Sequence, residues 1–463
     1  MNLVPKSPNF AVASDRTIVT THVRRRTSSL SHQASTSSHR WLRFLGLLAV
    51  LATNAVAADW PQFLGPNRNG GVTAPAISTN WPKEGPRAMW SHKVGEGFAG
   101  PVVSNGKLIA FHRAEGREVI ECLDARTGIK IWKSGYAATY RDDFGFEEGP
   151  RATPSIAGGR VFTFGADGHL NAWSLADGTN LWSIDTRARF KSGKGFFGVA
   201  ASPLVEDGTV IVNVGGRNGS GIVAFDVASG KVIWQVTDDE ASYASPVAAT
   251  LGGKRRVAVV TRESFVTLDA ADGRPVFRHA WKPPMHASVS AATPLVIGDL
   301  FFITASYGTG GTLLRFKESA PEILWSRDEV LSAHYATPVV HDGHLYGFDG
   351  RQEQGCELRC VELRSGKTLW SEGGLKAGTV TLVNDQLLVL TERGELIQAP
   401  ARPAAFKPTQ RAQILPFTAR AHAAFADGFF HARSKDKLVC VDLRPAGAPV
   451  QLRPSTPTPS PTP

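Results

Sequence analysis

Apolar residues in this chain come in short runs cut by Gly, Pro, Asn and Asp, without long helical periodicity. The clearest stretch is Ala336–Trp370, ATPVVHDGHLYGFDGRQEQGCELRCVELRSGKTLW. Its alternation and β-branched content predict four strands: Thr337–Val340, His344–Phe348, Leu358–Leu363 and Lys367–Trp370. Gly turns at Asp342-Gly343 and Ser365-Gly366 join the outer pairs, and a polar hairpin tip joins the middle two. Such a unit cannot bury its own faces, so it needs neighbours.

The neighbours are copies of itself. A Pro opens the unit at Pro101, Pro154, Pro203, Pro246, Pro294 and Pro338, and Val380 and Ala423 hold that place in two degenerate copies. Successive copies lie 42–53 residues apart. Most close on Gly-x-x-x-Trp, from Gly128 to Trp132, Gly178 to Trp182, Gly230 to Trp234 and Gly366 to Trp370. The fourth closes on Gly273 to Phe277 and the fifth on Pro321 to Trp325. Four strands per period of this length are the mark of a β-propeller blade. Pro removes a ladder donor, which suits an innermost strand edging a channel. The terminal rings fall on outermost strands, where they are expected to wedge between blades as packing.

Pro86–Trp90 reads as a lone fourth strand, whereas the last copy stops after Leu438–Leu443. Giving the strand of Trp90 to the last copy leaves no open edge. The predicted fold is therefore all-β, an eight-bladed propeller of four-stranded antiparallel blades over residues 59–444. The opening stretch DWPQFLGPNRNGG, from Asp59 to Gly71, reads as a turn-rich arm.

Residues 1–58 read as a leader. Arg24, Arg25, Arg26, Arg40 and Arg43 precede the apolar run Phe44–Ala52, and Ala55-Val56-Ala57 is a small-x-small exit. This predicts export to the periplasm or beyond, with cleavage near Ala57. The run is too short for a stable membrane span, and no Cys follows it to carry a lipid. Residues 445–463 form a Pro-rich tail expected to be extended and disordered. Of the formal charge of +10, the leader supplies six, leaving +4 for the rest. The basicity is therefore no argument for nucleic-acid binding. A monomer is expected.

The frames Leu123–Trp132 (LDARTGIKIW) and Phe225–Trp234 (FDVASGKVIW), with the opening DWPQFLGPNRNG, resemble the pyrroloquinoline-quinone (PQQ)-like repeat propellers over residues 59–444. That resemblance implies the fold and leaves the activity open. The family joins quinoprotein dehydrogenases with binding propellers, among them the propeller lipoprotein of the outer-membrane barrel assembly machine. A dehydrogenase of this kind holds PQQ beside calcium on Glu, Asn and Asp oxygens, uses a carboxylate base and stacks the quinone on a disulfide of adjacent Cys.

No two Cys are adjacent here. Cys122, Cys360 and Cys440 share one repeat position, held elsewhere by Ala172, Ala224 and Thr267, which predicts small buried groups that stay reduced. Cys356 and Cys360 would lie roughly 13 Å apart on a strand, too far to bridge. The acidic stretch Arg141–Arg151 (RDDFGFEEGPR) could ligate a cation or simply be a solvated loop. There is no P-loop or HExxH motif.

The expected function is a ligand- or protein-binding scaffold with no catalytic residue, cofactor or metal. The alternative is an alcohol or polyol dehydrogenase using PQQ and calcium. The connections from Trp132 to Pro154 and from Trp182 to Pro203 are longer than blade closure needs. They supply Arg141, Arg151, Arg189 and Lys191, with Phe190, Phe196 and Phe197 as apolar anchors. Later connections add Tyr243, His286, His334 and Tyr335. Cations beside rings suit a protein, peptide or carbohydrate-like ligand. The rings expected to dock blades are Trp90, Trp132, Trp182, Trp234, Phe277, Trp325 and Trp370.

Overall fold

A computed structural model describes residues 59–448. The expected leader and cleavage site and nearly all of the Pro-rich tail lie outside the described residues. Among the described residues the chain forms eight sheets of four antiparallel strands, one of which carries a fifth, parallel strand. Blades 1 to 6 span 102–137, 155–185, 204–236, 247–280, 295–327 and 339–372. Blade 7 spans 378–413, and blade 8 joins 424–442 to Arg87–Lys93. The N-terminal strand thus closes the ring, with Trp90 opposite Cys440.

Two local expectations change. In blade 6 the middle strands run His344–Arg351 and Gly355–Glu362, because the polar tip residues pair up to Arg351 opposite Gly355. The first strand begins at Val339, one residue after Pro338, which has no N–H to give. Thr186–Phe190, expected as loop, is a single helical turn. Asp185 caps it by accepting from Ala188 N at 2.9 Å, and Lys191 ends it in the left-handed region.

The closing motif works between blades. Across most outer strand pairs a small residue faces the indole, as Cys122 faces Trp132 and Ala172 faces Trp182, whereas Leu313 faces Trp325 in blade 5. The indole is then free to reach the next blade. Trp90, Trp132, Trp182, Trp234, Trp325 and Trp370 donate to the carbonyls of Ala125, Leu175, Val227, Ala270, Leu363 and Arg402 at 2.9–3.2 Å. Five of these indoles lie on Gly128, Gly178, Gly230, Gly273 and Gly366, where a Cβ would sit 2.4–3.0 Å from the ring. Each Gly therefore receives the Trp of the preceding blade. Blade 5 has Pro321 in place of that Gly, and Phe277 packs instead on Phe301 and Phe316, with centroids 6.1 and 6.2 Å away. All four Cys are buried and free.

A second belt runs around the inside. From Pro154 to Pro338, the residue before each opening Pro accepts, through its hydroxyl, the backbone N–H of the equivalent residue one blade earlier. Gly100 N donates to Thr153, Thr153 N to Ser202, Ser202 N to Ser245, Ser245 N to Thr293 and Thr293 N to Thr337, at 2.9–3.1 Å. The Ser/Thr-Pro pairs of the sequence thus stitch neighbouring blades at the channel wall.

The N-terminal arm fills that channel. Trp60 pairs with Val103 of blade 1, and Pro61 O accepts from Ile156 N of blade 2. Arg68 donates to Ser202 O and Pro203 O of blade 3 at 3.1 and 2.9 Å. Gly71 and Val72 then run parallel to Leu382 and Val383 on the innermost strand of blade 7. The arm enters beside the end of the Val102–Ser104 strand and leaves beside Asn384, so both of its legs open onto one face. Its bend, from Phe63 to Gly70, lies inside the ring. Arg68 is only 2% exposed, and burial lowers its guanidinium to about 9.

Candidate functional site: a funnel floored by the N-terminal arm

The connections between blades and the hairpins between second and third strands emerge together on the face opposite the legs of the arm. There they converge on a cavity of about 210 Å³. Phe63 of the arm lines it from below, stacked edge-on against His422 with centroids 5.2 Å apart. Rings of Phe98, Phe146, Phe197, Tyr243, Tyr307 and Tyr335 make most of the wall.

Arg151 reaches this wall. Its guanidinium lies 5.7–6.0 Å from the centroids of Phe197, Tyr140 and Phe98. It donates to the carbonyls of Glu147 and Gly149, and no carboxylate pairs with it among the described residues. Tyr243 accepts through its hydroxyl from Phe196 N and Phe197 N at 2.9 and 3.1 Å, which fixes the Phe-rich loop over the funnel. His334 donates from Nδ1 to Gln352 Oε1 at 2.6 Å and accepts at Nε2 from Tyr307 at 3.0 Å. Burial lowers the imidazole's basicity, so this neutral tautomer persists at neutral pH. His422 is 8% exposed, its Nε2 has no partner, and burial lowers it to about 4.

Of the residues expected at a site, Arg151, Tyr243, His334 and Tyr335 line this funnel. His286 lines a neighbouring recess with Lys194, Glu240 and Arg262. Arg141, Arg189 and Lys191 line neither. Arg141 is exposed and pairs with Glu148 at 2.5 Å, Arg189 stacks on Phe190 at 5.3 Å, and Lys191 caps the short helix. Phe63, Tyr307, Gln352, Glu353 and Arg420 also line the funnel and were not expected. Phe63 comes from the arm and Tyr307, Gln352 and Glu353 from hairpin tips, where no repeat signal marks a position, whereas Arg420 stands three residues before Ala423, the place that Arg151, Tyr243 and Tyr335 hold before their Pro.

The acidic stretch does not gather into a ligand set. Asp142 accepts from Phe146 N and Glu147 N, Asp143 pairs with Lys194 at 2.6 Å, and Glu147 accepts from Gly97 N and pairs with Lys435 at 3.3 Å. Each carboxylate braces a different part of the loop. A quinone with calcium does not fit the funnel either. Its lining offers one carboxylate, Glu353, beside two guanidinium groups, and the Cys residues sit elsewhere in the blades. A dication held there would find one carboxylate, because the neighbouring Glu392 is taken up by Arg420.

A second buried acid lies between blades 1 and 2. Glu118, 1% exposed, accepts from Ala166 N at 2.8 Å and from the Tyr136 hydroxyl. Burial pushes its carboxyl up to about 7. The Thr139–Tyr140 backbone is held by Asp167, next to Ala166, at 2.6–2.7 Å. This cluster anchors the start of the long connection that carries Arg151.

The rim is apolar in places. Phe144 and Phe146 are 53% and 54% exposed, and Phe144 lies 5.2 Å from Phe197 of the next connection. The outer wall also shows Ile129 and Ile131 of blade 1, with Leu181, Ile233 and Ile323 one to a blade. Scattered single side chains of this kind are ordinary surface, whereas the rim rings are contiguous.

Known proteins share this architecture. A family described as outer membrane protein assembly factor BamB matches residues 115–372. The outer membrane protein assembly factor BamB of Shewanella oneidensis is 24% identical over 327 residues, covering 64% of this chain and 73% of its own. The crystal structure of BamB from Moraxella catarrhalis superposes with a TM-score of 0.57 at 16% identity, covering 77% of this chain and 97% of its own. A quinohemoprotein alcohol dehydrogenase from Comamonas testosteroni superposes with a TM-score of 0.60 at 14% identity, covering 85% and 82%. At such identities the two structures share the fold. The match to more than half of the sequence decides the family: this chain belongs to the outer membrane protein assembly factor BamB family of PQQ-like repeat propellers.

Proposed function

We propose that the chain is an exported, non-catalytic scaffold that binds a polypeptide over its long-connection face, in the service of outer-membrane protein assembly. The partner is an outer-membrane protein or another assembly component. The observation that carries this reading is the contiguous rim of Phe144, Phe146 and Phe197, set beside unpaired Arg151. Exposed rings flanked by cations are what a partner's apolar core and polar rim require. Family membership supports the assembly role, and the carboxylate-poor funnel favours binding over quinone chemistry. Neither a cofactor nor a metal is part of the proposal, and the described residues contain no helix long and apolar enough to cross a membrane.

The test is site-specific photocrosslinking in the cell envelope. A photoreactive residue at Phe146 should give adducts with outer-membrane or assembly proteins, and one at Asp342, on the opposite face, should not. Adducts from Asp342 alone would refute the assignment of the face.

A further inference from the structure

The funnel holds more than a rim for a partner needs. Its interior is apolar and electropositive at once. Arg151 lines it without a paired carboxylate. Arg68 lies beneath, bonded to the carbonyls of Ser202 and Pro203 and the amide of Gln62, and Ser202 itself lines the cavity. Arg420 is neutralised by Glu392, and Glu353 stands exposed at the edge. Two guanidinium charges therefore face or underlie an apolar space, and among the described residues neither is paired with a carboxylate. Arg151 is half-buried, and an anion entering beside it gains a charge-assisted partner.

A second observation points the same way. His422 lines the cavity with its Nε2 buried and unpartnered. Buried polar atoms of this kind are normally satisfied, and one facing a cavity is a waiting hydrogen-bond site for whatever fills it. The size also fits one small group. An apolar cavity of about 150 Å³ accepts benzene, and about 210 Å³ leaves room for one polar substituent more. The walls are stacking surfaces, with Tyr243, Tyr307 and Phe197 on different blades or connections.

We propose that the funnel is a binding site for a small monocyclic aromatic carboxylate, with the ring held among Phe98, Phe197 and Tyr243 and the carboxylate turned to Arg151. The ligand is a free small molecule, and its site shares Phe197 and Arg151 with the rim assigned to polypeptide binding. A charge-assisted bond to the guanidinium fixes the anion. The arm is then part of the site, because Phe63 forms its floor.

Isothermal titration of the full chain with benzoate and with benzyl alcohol tests this. Benzoate should bind at submillimolar concentration, at least about tenfold more tightly than benzyl alcohol. Arg151→Gln should weaken benzoate about tenfold and leave benzyl alcohol within about twofold, because only the charge-assisted bond is lost. Ala291→Trp, which fills the cavity from its wall, should abolish both. Circular dichroism melts of both variants show that the propeller is intact. No heat with benzoate at millimolar concentration overturns the proposal. So does equal weakening of both probes by Arg151→Gln, or full binding by Ala291→Trp. The titration contains no protein partner, so its failure leaves the scaffold reading untouched, and loss of partner binding leaves this one untouched.

Discussion

The indole of Trp132 lies flat on Gly178 of the next blade and donates to Leu175 O at 3.1 Å. A Cβ on Gly178 would stand 2.5 Å from that ring. The contact explains why Gly and Trp recur together along the chain: they never touch within a copy, and each serves a different neighbour.

Gly178→Ala should therefore destabilise more than its backbone alone explains. Gly253 has nearly the same φ, +74° against +77°, and nothing within 4 Å of an added Cβ. Both substitutions carry the cost of a left-handed alanine, about 1–2 kcal/mol. Gly178→Ala adds overpacking against Trp132, about 1–3 kcal/mol more. Urea melts of the two variants measure the difference, and equal midpoints would remove the docking role.

The closing strand should be indispensable. Without residues 59–93, blade 8 loses the strand opposite Lys437–Asp442 and the channel loses its arm. The exposed edge is a template for pairing between chains. Size-exclusion chromatography should show oligomers or aggregate for this truncation and a monomer for residues 59–448. A well-folded monomeric truncation would contradict the closure.

The thiols should be silent in the folded state. Cys122, Cys360 and Cys440 are fully buried opposite Trp132, Trp370 and Trp90. Burial pushes Cys122 up to about 12 and Cys360 up to about 11, so thiolate is scarce at neutral pH. Ellman's reagent should find no reactive thiol natively and all four in guanidinium chloride. Rapid native labelling, or a disulfide found by mass spectrometry, would count against the register.

Glu118 should make stability depend on pH. Its carboxyl is raised from its ordinary 4.5 to about 7 by burial, so the folded chain keeps a proton that the unfolded chain sheds. The stability this confers is full below 4.5 and is lost as pH rises through 7. The amount at stake is about 3 kcal/mol. Glu118→Gln keeps the shape and removes the titration. Relative to the native chain, the variant should gain stability between pH 5 and pH 8, measured by urea midpoints. Parallel pH profiles would show that Glu118 does not titrate in this window.

Much of this architecture is written in the sequence because it is repeated. Eight copies of one hydrophobic pattern announce the blades, and the missing fourth strand of the last copy finds its partner in Trp90. Local chemistry that occurs once is harder to read. The arm looks like any Pro- and Gly-rich segment, and nothing nearby tells that Arg68 will be buried against carbonyls 134 residues away. The Thr186–Phe190 turn is too short to show a helical period. In the funnel, Arg151, Tyr243, His334 and Tyr335 were legible because they flank the repeat's opening Pro frames. Phe63 and Glu353 were not, since an arm and a hairpin tip bring them in, and Arg420 holds the same place before Ala423 in a copy that has lost its Pro.

The most direct measurement of the scaffold reading is fluorescence anisotropy of a labelled, urea-diluted outer-membrane β-barrel protein titrated with the chain. Two surface variants decide it. Phe144→Ser with Phe146→Ser strips the rim, and Ile131→Ser with Leu181→Ser strips an equally exposed part of the outer wall. Binding is expected to weaken at least about tenfold in the rim variant and to stay within about twofold in the wall variant, as removal of central aromatic anchors does at protein interfaces. Unchanged binding by the rim variant, or loss confined to the wall variant, would contradict the account.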